Sequence, residues 1–529
     1  MNKFIIKCAL LVLVALCPCL ASAQDYYATQ QQPEGNGTLS KPYQMASLEN
    51  FLWLAAQVNG GYDQAGKYFE MTQDIDFAPA KTWDKGRGWA SIGGLQSFEG
   101  IVRKMSFRGY FDGKGHTIGN LYINRKTDFQ GLFGYVFAGS VKNLNIKDAH
   151  IEGTENLGVL AGYAFEEEVV NCHVWNSTVT ASGVYAGGLM GFQKEGITQD
   201  CSADAQVSGF DYLGGLTSWC LEGEIKHCFT SGKITSIKGM EGSEPRMGRL
   251  AGGLVGYLSQ SKLSLSMSTV QLEGGNQMGG LVGVTVKSNV ETCGAISPMV
   301  KGITYVGGFV GKNEETAVTN CFARSIVEGD ASVGGFIGSL DYTGSNITNC
   351  YAAGKVSTTG TEGTTGGFVG NKSYTTAIKN CYHDKDASTQ AEAVGGFAHN
   401  NCDCKDMTTA QMKTQTTFAG WDFAKTWSIN ATENDGYPML REMSTSAVKT
   451  ITAISSAVKV WRNGPMYIID SPQAGIEAVN VFDLSGHKVA QVAGLGQNTL
   501  TLNLPANGSI MIVTCTLSNG QTASIKVMP

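Results

Sequence analysis

The chain is poor in charge and in proline. Charged residues make up 16% of its 529 positions and there are 11 prolines, where ordinary soluble domains carry about 25% charge. A net charge of −6 offers no basic field for a nucleic acid or an anionic lipid surface. No H-E-x-x-H stretch occurs, which removes zinc-peptidase chemistry of that type, and no G-x-S-x-G stretch occurs. Beyond the first two dozen residues no apolar run approaches the ~20 residues of a membrane helix. What is abundant is glycine, 68 residues, nearly double the usual ~7% share. That composition fits many short buried strands joined by turns.

The opening "MNKFIIKCALLVLVALCPCLASAQ" has Lys3 and Lys7, an apolar stretch and the triad Ala21-Ser22-Ala23. It reads as a secretory signal peptide (1–23) cut after Ala23. Leu16 and Pro18 are poor lipobox residues before Cys17 and Cys19. An exported, secreted or cell-surface protein is expected.

A glycine pentad recurs down the chain, as "GGLMG" (187–191), "GGLVG" (252–256 and 279–283), "GGFVG" (307–311), "GGFIG" (334–338) and close variants. Its second position falls at 131, 159, 188, 215, 253, 280, 308, 335, 367 and 396. Most steps are 27–29 residues. Cys172, Cys201, Cys228, Cys293 and Cys321 each lie 13 residues after it, Cys350 and Cys381 15 and 14 after it. Ser266 and Leu144 hold the same slot in two repeats without the cysteine. The half of each repeat from pentad to cysteine is therefore stiff, and the half after it varies in length.

A period near 28 divides into three strands of about five residues and their turns, one coil of a parallel β-helix. The expectation is an all-β fold: a solenoid of about ten to eleven coils over 46–440, following an N-terminal arm at 24–45. Equivalent residues should stack, Leu254 on Leu281 and then Phe309, Phe336, Phe368 and Phe397. "SLENFLWLAAQVN" (47–59) and "TTAQMKTQTTFAGWDF" (408–423) read as capping helices at the two ends. After a linker at 441–452, seven or so short strands over 453–529 suggest a small immunoglobulin-like sandwich.

The cysteines sit a whole coil apart with no histidine at fixed offset, unlike zinc ligands, and directly stacked positions are too far apart for disulfides. They read as small buried packing residues. Asn171, Asn320, Asn349 and Asn380, beside four of them, suggest an amide ladder. The pairing of Cys220, Cys402, Cys404 and Cys515 is left open. His116 reads as a turn residue. Glu166, Glu167, Glu168, Asp384 and Asp386 read as solvated charge, in coils too far apart for paired-carboxylate catalysis.

The pentads followed by Asn-Cys resemble the GLUG repeat of exported bacterial surface proteins and of the stalks of immunoglobulin-A-cleaving metallopeptidases. "WASIG…FEGIVRKMSFRGYFDGKGHTIGNLYI" and "MTTAQMKTQTTFAGWDFAKTWSINATENDGYPML" are similar to the segments that open and close such arrays. The piece "VNVFDLSGHKVAQV" is similar to C-terminal domains of exported Bacteroidetes proteins, some of them sorting signals ending on a lysine-bearing strand; this chain ends in Pro529.

Recognition is expected in the elastic half-repeats. The longest insertion (235–249) carries Lys238, Glu241, Glu244, Arg246 and Arg249, with Trp175, Tyr185 and Tyr212 as aromatic neighbours. The leading reading is an adhesin-like surface protein, without catalysis or cofactor, that presents loops to a glycan or to a host or cell-surface protein. The alternatives are a carbohydrate-active β-helix enzyme and a structural stalk.

Overall fold

The computed structural model describes residues 29–443 and 458–527, apart from 99–100, 242–243, 341–343, 361–362, 373–375, 397–401, 432, 464–465, 472–474, 484–487, 504–510 and 519–521. The signal peptide and Phe397 lie outside the described residues. Two compact units are present: residues 1–412 with 417–420, and residues 413–416 with 421–529.

The first unit is a parallel β-solenoid of about twelve turns. Parallel sheets of 29, nine and seven strands run along it. Each pentad-bearing coil from residue 131 on to 372 contributes one strand to the nine-stranded sheet, such as Val310–Glu314, and then strands to the long sheet. In some coils these are very short, such as Ala317–Thr319 and Phe322–Ala323, and in others a single strand of eight or nine residues, such as His173–Ala181. Many of these strands are shorter than the pattern predicts because the long sheet folds sharply within the coil. The bend falls on one left-handed residue: Asn143, Asn171, Asp200, His227, Leu265, Thr292, Asn320, Asn349 or Asn380, all with φ near +53°. Left-handed backbone disfavours most L-residues and asparagine least. Here the amides also stack, Asn171 donating to Asn143 (2.8 Å), Asn349 to Asn320 (3.3 Å) and Asn380 to Asn349 (2.8 Å).

The pentad makes the turn into the nine-stranded sheet, and close backbone approach explains its glycines. A Cβ on Gly307 would lie 1.9 Å from the Val310 carbonyl oxygen, and one on Gly308 2.1 Å from that of Gly335 in the next coil. The third pentad residue points inward. Phe309, Phe336 and Phe368 are fully buried and stack in parallel at 4.6 and 4.8 Å between ring centres.

The cysteine slot follows the bend and is buried throughout. The described cysteines are free thiols. The slot also carries a weak hydrogen bond: the Cys172 and Cys293 amides donate to the Sγ of Cys201 and Cys321 at 3.4 Å. Ser266 takes over that role for the Cys228 amide at 3.0 Å. Cys404, in register with Cys381, adds a rung.

Three turns precede the first pentad, the first two through Tyr43–Met45 and Tyr68–Met71 and the third through Tyr110–Asp112, which is why a count of pentads falls short. Between the first two the helix Leu48–Asn59 covers the front end. Ser47 and Asn50 form its capping box, and Phe51, Leu52, Leu54 and Ala55 are fully buried. The rear cap differs from the expected helix. Thr408 and Gln411 do cap one another, but the helix is a single turn, Thr409–Met412. The threonine-rich stretch beyond it has no apolar periodicity to hold a longer one.

In the second unit, strands from residues 459–527 form two antiparallel sheets. One contains Lys459–Asn463, Met466–Asp470 and Thr499–Asn503. The other runs in the order Lys488–Gln497, Ile476–Asp483, Met511–Leu517 and Thr522–Val527. Val458, Ile469, Val479, Leu500, Val513 and Cys515 are among the residues of their shared core.

Candidate functional site: an aromatic face on the nine-stranded sheet

Successive side chains of a strand point to opposite faces, so a pentad that fixes the inward residues fixes the outward ones as well. In the nine-stranded sheet the residue four positions after the second pentad position faces away from the coil interior; Tyr163, Phe192, Trp219 and Tyr257 there are half-buried, and Tyr135, Val284 and Ser339 are buried. Down the coils this column reads Tyr135, Tyr163, Phe192, Trp219, Tyr257, Val284, Lys312, Ser339 and Asn371, each in register with the next. Its first five members are aromatic, with neighbouring rings 4.9–5.1 Å apart. Tyr163 and Phe192 lie parallel, whereas Trp219 is turned 44° from Phe192 and Tyr257 68° from Trp219.

A second aromatic row runs beside it. Tyr185 and Tyr212 sit one coil apart at the left-handed residue before the pentad (φ +64° and +56°), their rings 4.9 Å apart. Tyr212 stacks on Trp219 at 5.5 Å and 7°, and Tyr185 lies 6.0 Å from Phe192. At the front of the face, the Lys104 ammonium stands over Tyr135 (4.1 Å), Tyr163 (4.2 Å) and Phe129 (5.0 Å), a cation–π arrangement. Burial lowers the affinity of Lys104 for its proton. Burial also raises the phenols of Tyr163, Tyr185, Tyr212 and Tyr257, and that of Tyr135 to about 12. These hydroxyls therefore stay protonated and can donate and accept. The Trp219 indole N–H is buried without a protein partner.

The structure brings together only part of the expected recognition set. Tyr185 and Tyr212 belong to this face. Trp175 belongs to the long sheet, paired with Lys147, and does not join them. The long insertion forms a hairpin of Lys238–Glu241 and Glu244–Met247. Glu241 and Glu244 oppose one another in its register, their side chains lying outside the described residues. Arg246 is an anchor: its guanidinium bonds both oxygens of Asp211 (3.0 and 2.6 Å) and lies 4.3 Å over the Phe210 ring. The Arg249 amide donates to the same carboxylate at 2.8 Å. Lys238 is exposed. The hairpin is thus tied down beside Tyr212 through buried Asp211, which also lies 3.6 Å from the guanidinium of the partly exposed Arg249.

Residue reading missed Tyr135, Tyr163, Phe192, Trp219 and Tyr257. Their fixed offset of four from the pentad glycine is the signal that finds them.

The acidic residues also depart from expectation. Glu168 is exposed and paired with Lys142 at 2.6 Å, but Glu167 is buried. Its carboxyl lies where a Cβ of Gly196 would be, 2.2 Å away, both oxygens lack protein partners, and burial pushes it up to about 8. The glycine at 196, one coil on, leaves it room. Asp384 is fully buried and caps the turn Lys385–Ser388, accepting from the Asp386 and Ala387 amides and the Thr409 hydroxyl. Neither is solvated charge. His116 is held in its turn near Asp74 at 3.3 Å.

One hydrogen-bonded relay has the make-up of a nucleophile, base and orienting group. Ser202 Oγ is 2.9 Å from His173 Nδ1, whose Nε2 is 3.0 Å from Asn171 Oδ1. His150 makes the same contact to Thr178 at 2.9 Å in the long sheet, so the arrangement is a ladder contact between successive coils. Among the described residues no group of three or more His, Cys, Asp or Glu side chains could hold a metal ion, and no helix is long and apolar enough to cross a membrane. In the second unit a recess of about 670 Å³, lined by residues including Phe423, Asn430, Glu433 and Arg441, contains a single carboxylate.

Comparison with known proteins agrees with the repeat. The GLUG motif matches residues 329–357, and a domain of unknown function (DUF8694) matches residues 447–529. Halomucin of Haloquadratum walsbyi is 34% identical over 132 residues, 24% of this chain and 1% of that protein. A protein of Evansella cellulosilytica named as a Gly-rich membrane protein is 29% identical over 421 residues, 76% of this chain and 45% of its own. The chain spans less than half the length of either curated relative. Among solved structures, a Bacteroides ovatus protein assigned as an immunoglobulin A1 protease aligns over 78% of this chain and 95% of its own, at 19% identity and a TM-score of 0.31. An IgA1 protease aligns over 91% of this chain and 34% of its own, at 12% identity and a TM-score of 0.36.

Proposed function

We propose that this chain is a non-catalytic, adhesin-like binding protein of the cell exterior, whose solenoid presents a preformed face to a glycan or a host or cell-surface protein. The observation that carries this reading is the outward aromatic face centred on Trp219. Its rings are half-buried, so they share a contiguous aromatic surface with water, and such patches mark interaction sites.

The GLUG match and the names of the two curated relatives, a halomucin and a membrane protein, support a surface location and bring no catalytic machinery. Export through the N-terminal leader is part of the proposal. So is an immunoglobulin-like reading of residues 453–529, which the strand order of the second unit supports, with a role for it in sorting. Arrays of glycans, mucins and extracellular-matrix proteins test the function: binding above background is expected. Silence on all of them, with product release from a polysaccharide panel, would replace this reading with the enzymatic one. Silence on both leaves a stalk.

A further inference from the structure

The reading above leaves the ligand's chemistry open; the inference here rests on it and narrows it. We infer that the aromatic face takes an uncharged polysaccharide chain, laid along the solenoid axis across Tyr185, Phe192, Tyr212, Trp219 and Tyr257.

Geometry is the first ground. The rings follow one another at 4.9–5.1 Å in the outward column, one per coil, a step comparable to the length of one pyranose residue in an extended chain. A linear polymer of sugars can therefore meet equivalent surfaces in successive coils. The rings past Phe192 turn away from parallel, by 44° and then 68°, so they do not present a uniform stack of edges. Val284 follows Tyr257 in the column, leaving that tyrosine without an aromatic neighbour there on its downstream side.

Charge is the second ground. Beside these five residues Lys194 pairs with Glu195 at 2.8 Å, Lys312 with Glu314 at 2.7 Å, and Arg246 and Arg249 share Asp211 at 2.6 and 3.6 Å, while Lys104 stands one coil forward over Tyr135 and Tyr163. An anionic polymer laid across these five residues would meet cations already held by carboxylates, and a cationic one no surplus of negative charge. The complement of such a border is a neutral ligand.

Hydrogen bonding is the third. Tyrosine and tryptophan combine an apolar body with a polar tip. The protonated phenols of Tyr185, Tyr212 and Tyr257 place hydroxyl donors and acceptors among the rings, matching a ligand whose apolar C–H faces are rimmed by hydroxyls. A peptide strand would instead need a free sheet edge or a deep pocket for its side chains, and each strand of this column interior to the sheet already pairs on both sides.

The test is affinity electrophoresis and calorimetry of the full chain. The probes are soluble neutral polysaccharides (mixed-linkage β-glucan, galactomannan, hydroxyethylcellulose) set against polygalacturonate and heparin. The variants are Trp219→Ala, Tyr185→Asn and Tyr212→Asn. Asparagine suits left-handed backbone, so the two tyrosine variants are expected to fold with a melting temperature close to wild type. At least one neutral polymer should retard the protein, little changed by salt. Affinity should rise with oligosaccharide length, and each variant should weaken it about tenfold. Retardation by a charged polymer only, or neutral binding unchanged in all three variants, overturns the inference. A protein ligand found on arrays and lost in the same variants overturns the glycan but keeps the face and the proposed function. No ligand of any kind sinks both.

Discussion

At the third pentad position and in the outward column, the front and rear coils of the solenoid use aromatic residues in opposite ways. In the front coils the third pentad residue, inside, is leucine (Leu132, Leu160, Leu189, Leu216, Leu254 and Leu281), and the outward strand column holds Tyr135, Tyr163, Phe192, Trp219 and Tyr257. In the rear coils phenylalanine is inside (Phe309, Phe336 and Phe368), and the outward column turns to Lys312, Ser339 and Asn371. Backbone, period and register are the same in both. The inner rings remove apolar area from water and stack, contributing about 1.5–3 kcal/mol each by burial and ~1 kcal/mol by stacking. The outer rings keep part of their surface in water, so they stabilise the fold less and can meet a ligand. One scaffold thus carries a stability column and a recognition column, and sequence alone decides which coils use which.

The comparison can be broken most directly from inside. Phe336→Ala empties the middle of the inner stack and is expected to cost about 3–5 kcal/mol, visible in denaturant unfolding, while ligand binding to the folded fraction stays as it was. Glu167→Gln should be the next largest, and it depends on pH. The folded carboxyl titrates at about 8, above its ordinary 4.5. Above 4.5 the unfolded chain releases a proton that the folded chain keeps, so wild-type stability falls as pH rises from about 4.5 to 8 and then levels off. The glutamine variant should lack that fall, gaining on the order of a few kcal/mol at pH 8. Melting temperatures from pH 4 to 9 check it, and a wild-type protein as stable at pH 8 as at pH 5 would refute the buried neutral acid.

Trp219→Ala inverts the first prediction: a loss of about 1–2 kcal/mol, below that for a fully buried aromatic, with loss of binding. If it proves as destabilising as Phe336→Ala, the outer column is structural and the contrast fails. Cys321→Ser should do least, under about 1 kcal/mol. Ser266 already fills the same slot, donating to the Ser264 carbonyl at 2.7 Å and accepting the Cys228 amide at 3.0 Å.

The core of this protein was legible in the sequence because a solenoid writes its contacts as a period. The pentads, the cysteine slot, the asparagine ladder and the stacking of Phe309, Phe336 and Phe368 all follow from residues about 28 positions apart lying in adjacent coils. The front helix was legible too, from Ser47 and the helical spacing of Leu48, Phe51, Leu52, Ala55 and Val58. The candidate site was less so. The elastic loops pointed to Lys238, Arg246 and Arg249, but loop length says nothing of where a side chain finds a partner, and buried Asp211 holds Arg246 and the Arg249 amide.

The inside of each coil was decided by the sequence itself. The pentad glycines are required by backbone approaches that no side chain fits, so their recurrence fixes the turn, the strand phase and hence which residues face inward. The outside was decided by tertiary structure. Whether Tyr185 of a turn meets Phe192 of a strand, whether Trp175 joins them, and whether Glu167 points to water or into the slot over Gly196 depend on how coils bend and stack. Those contacts lie between columns rather than along one, and a period records only what repeats along a column.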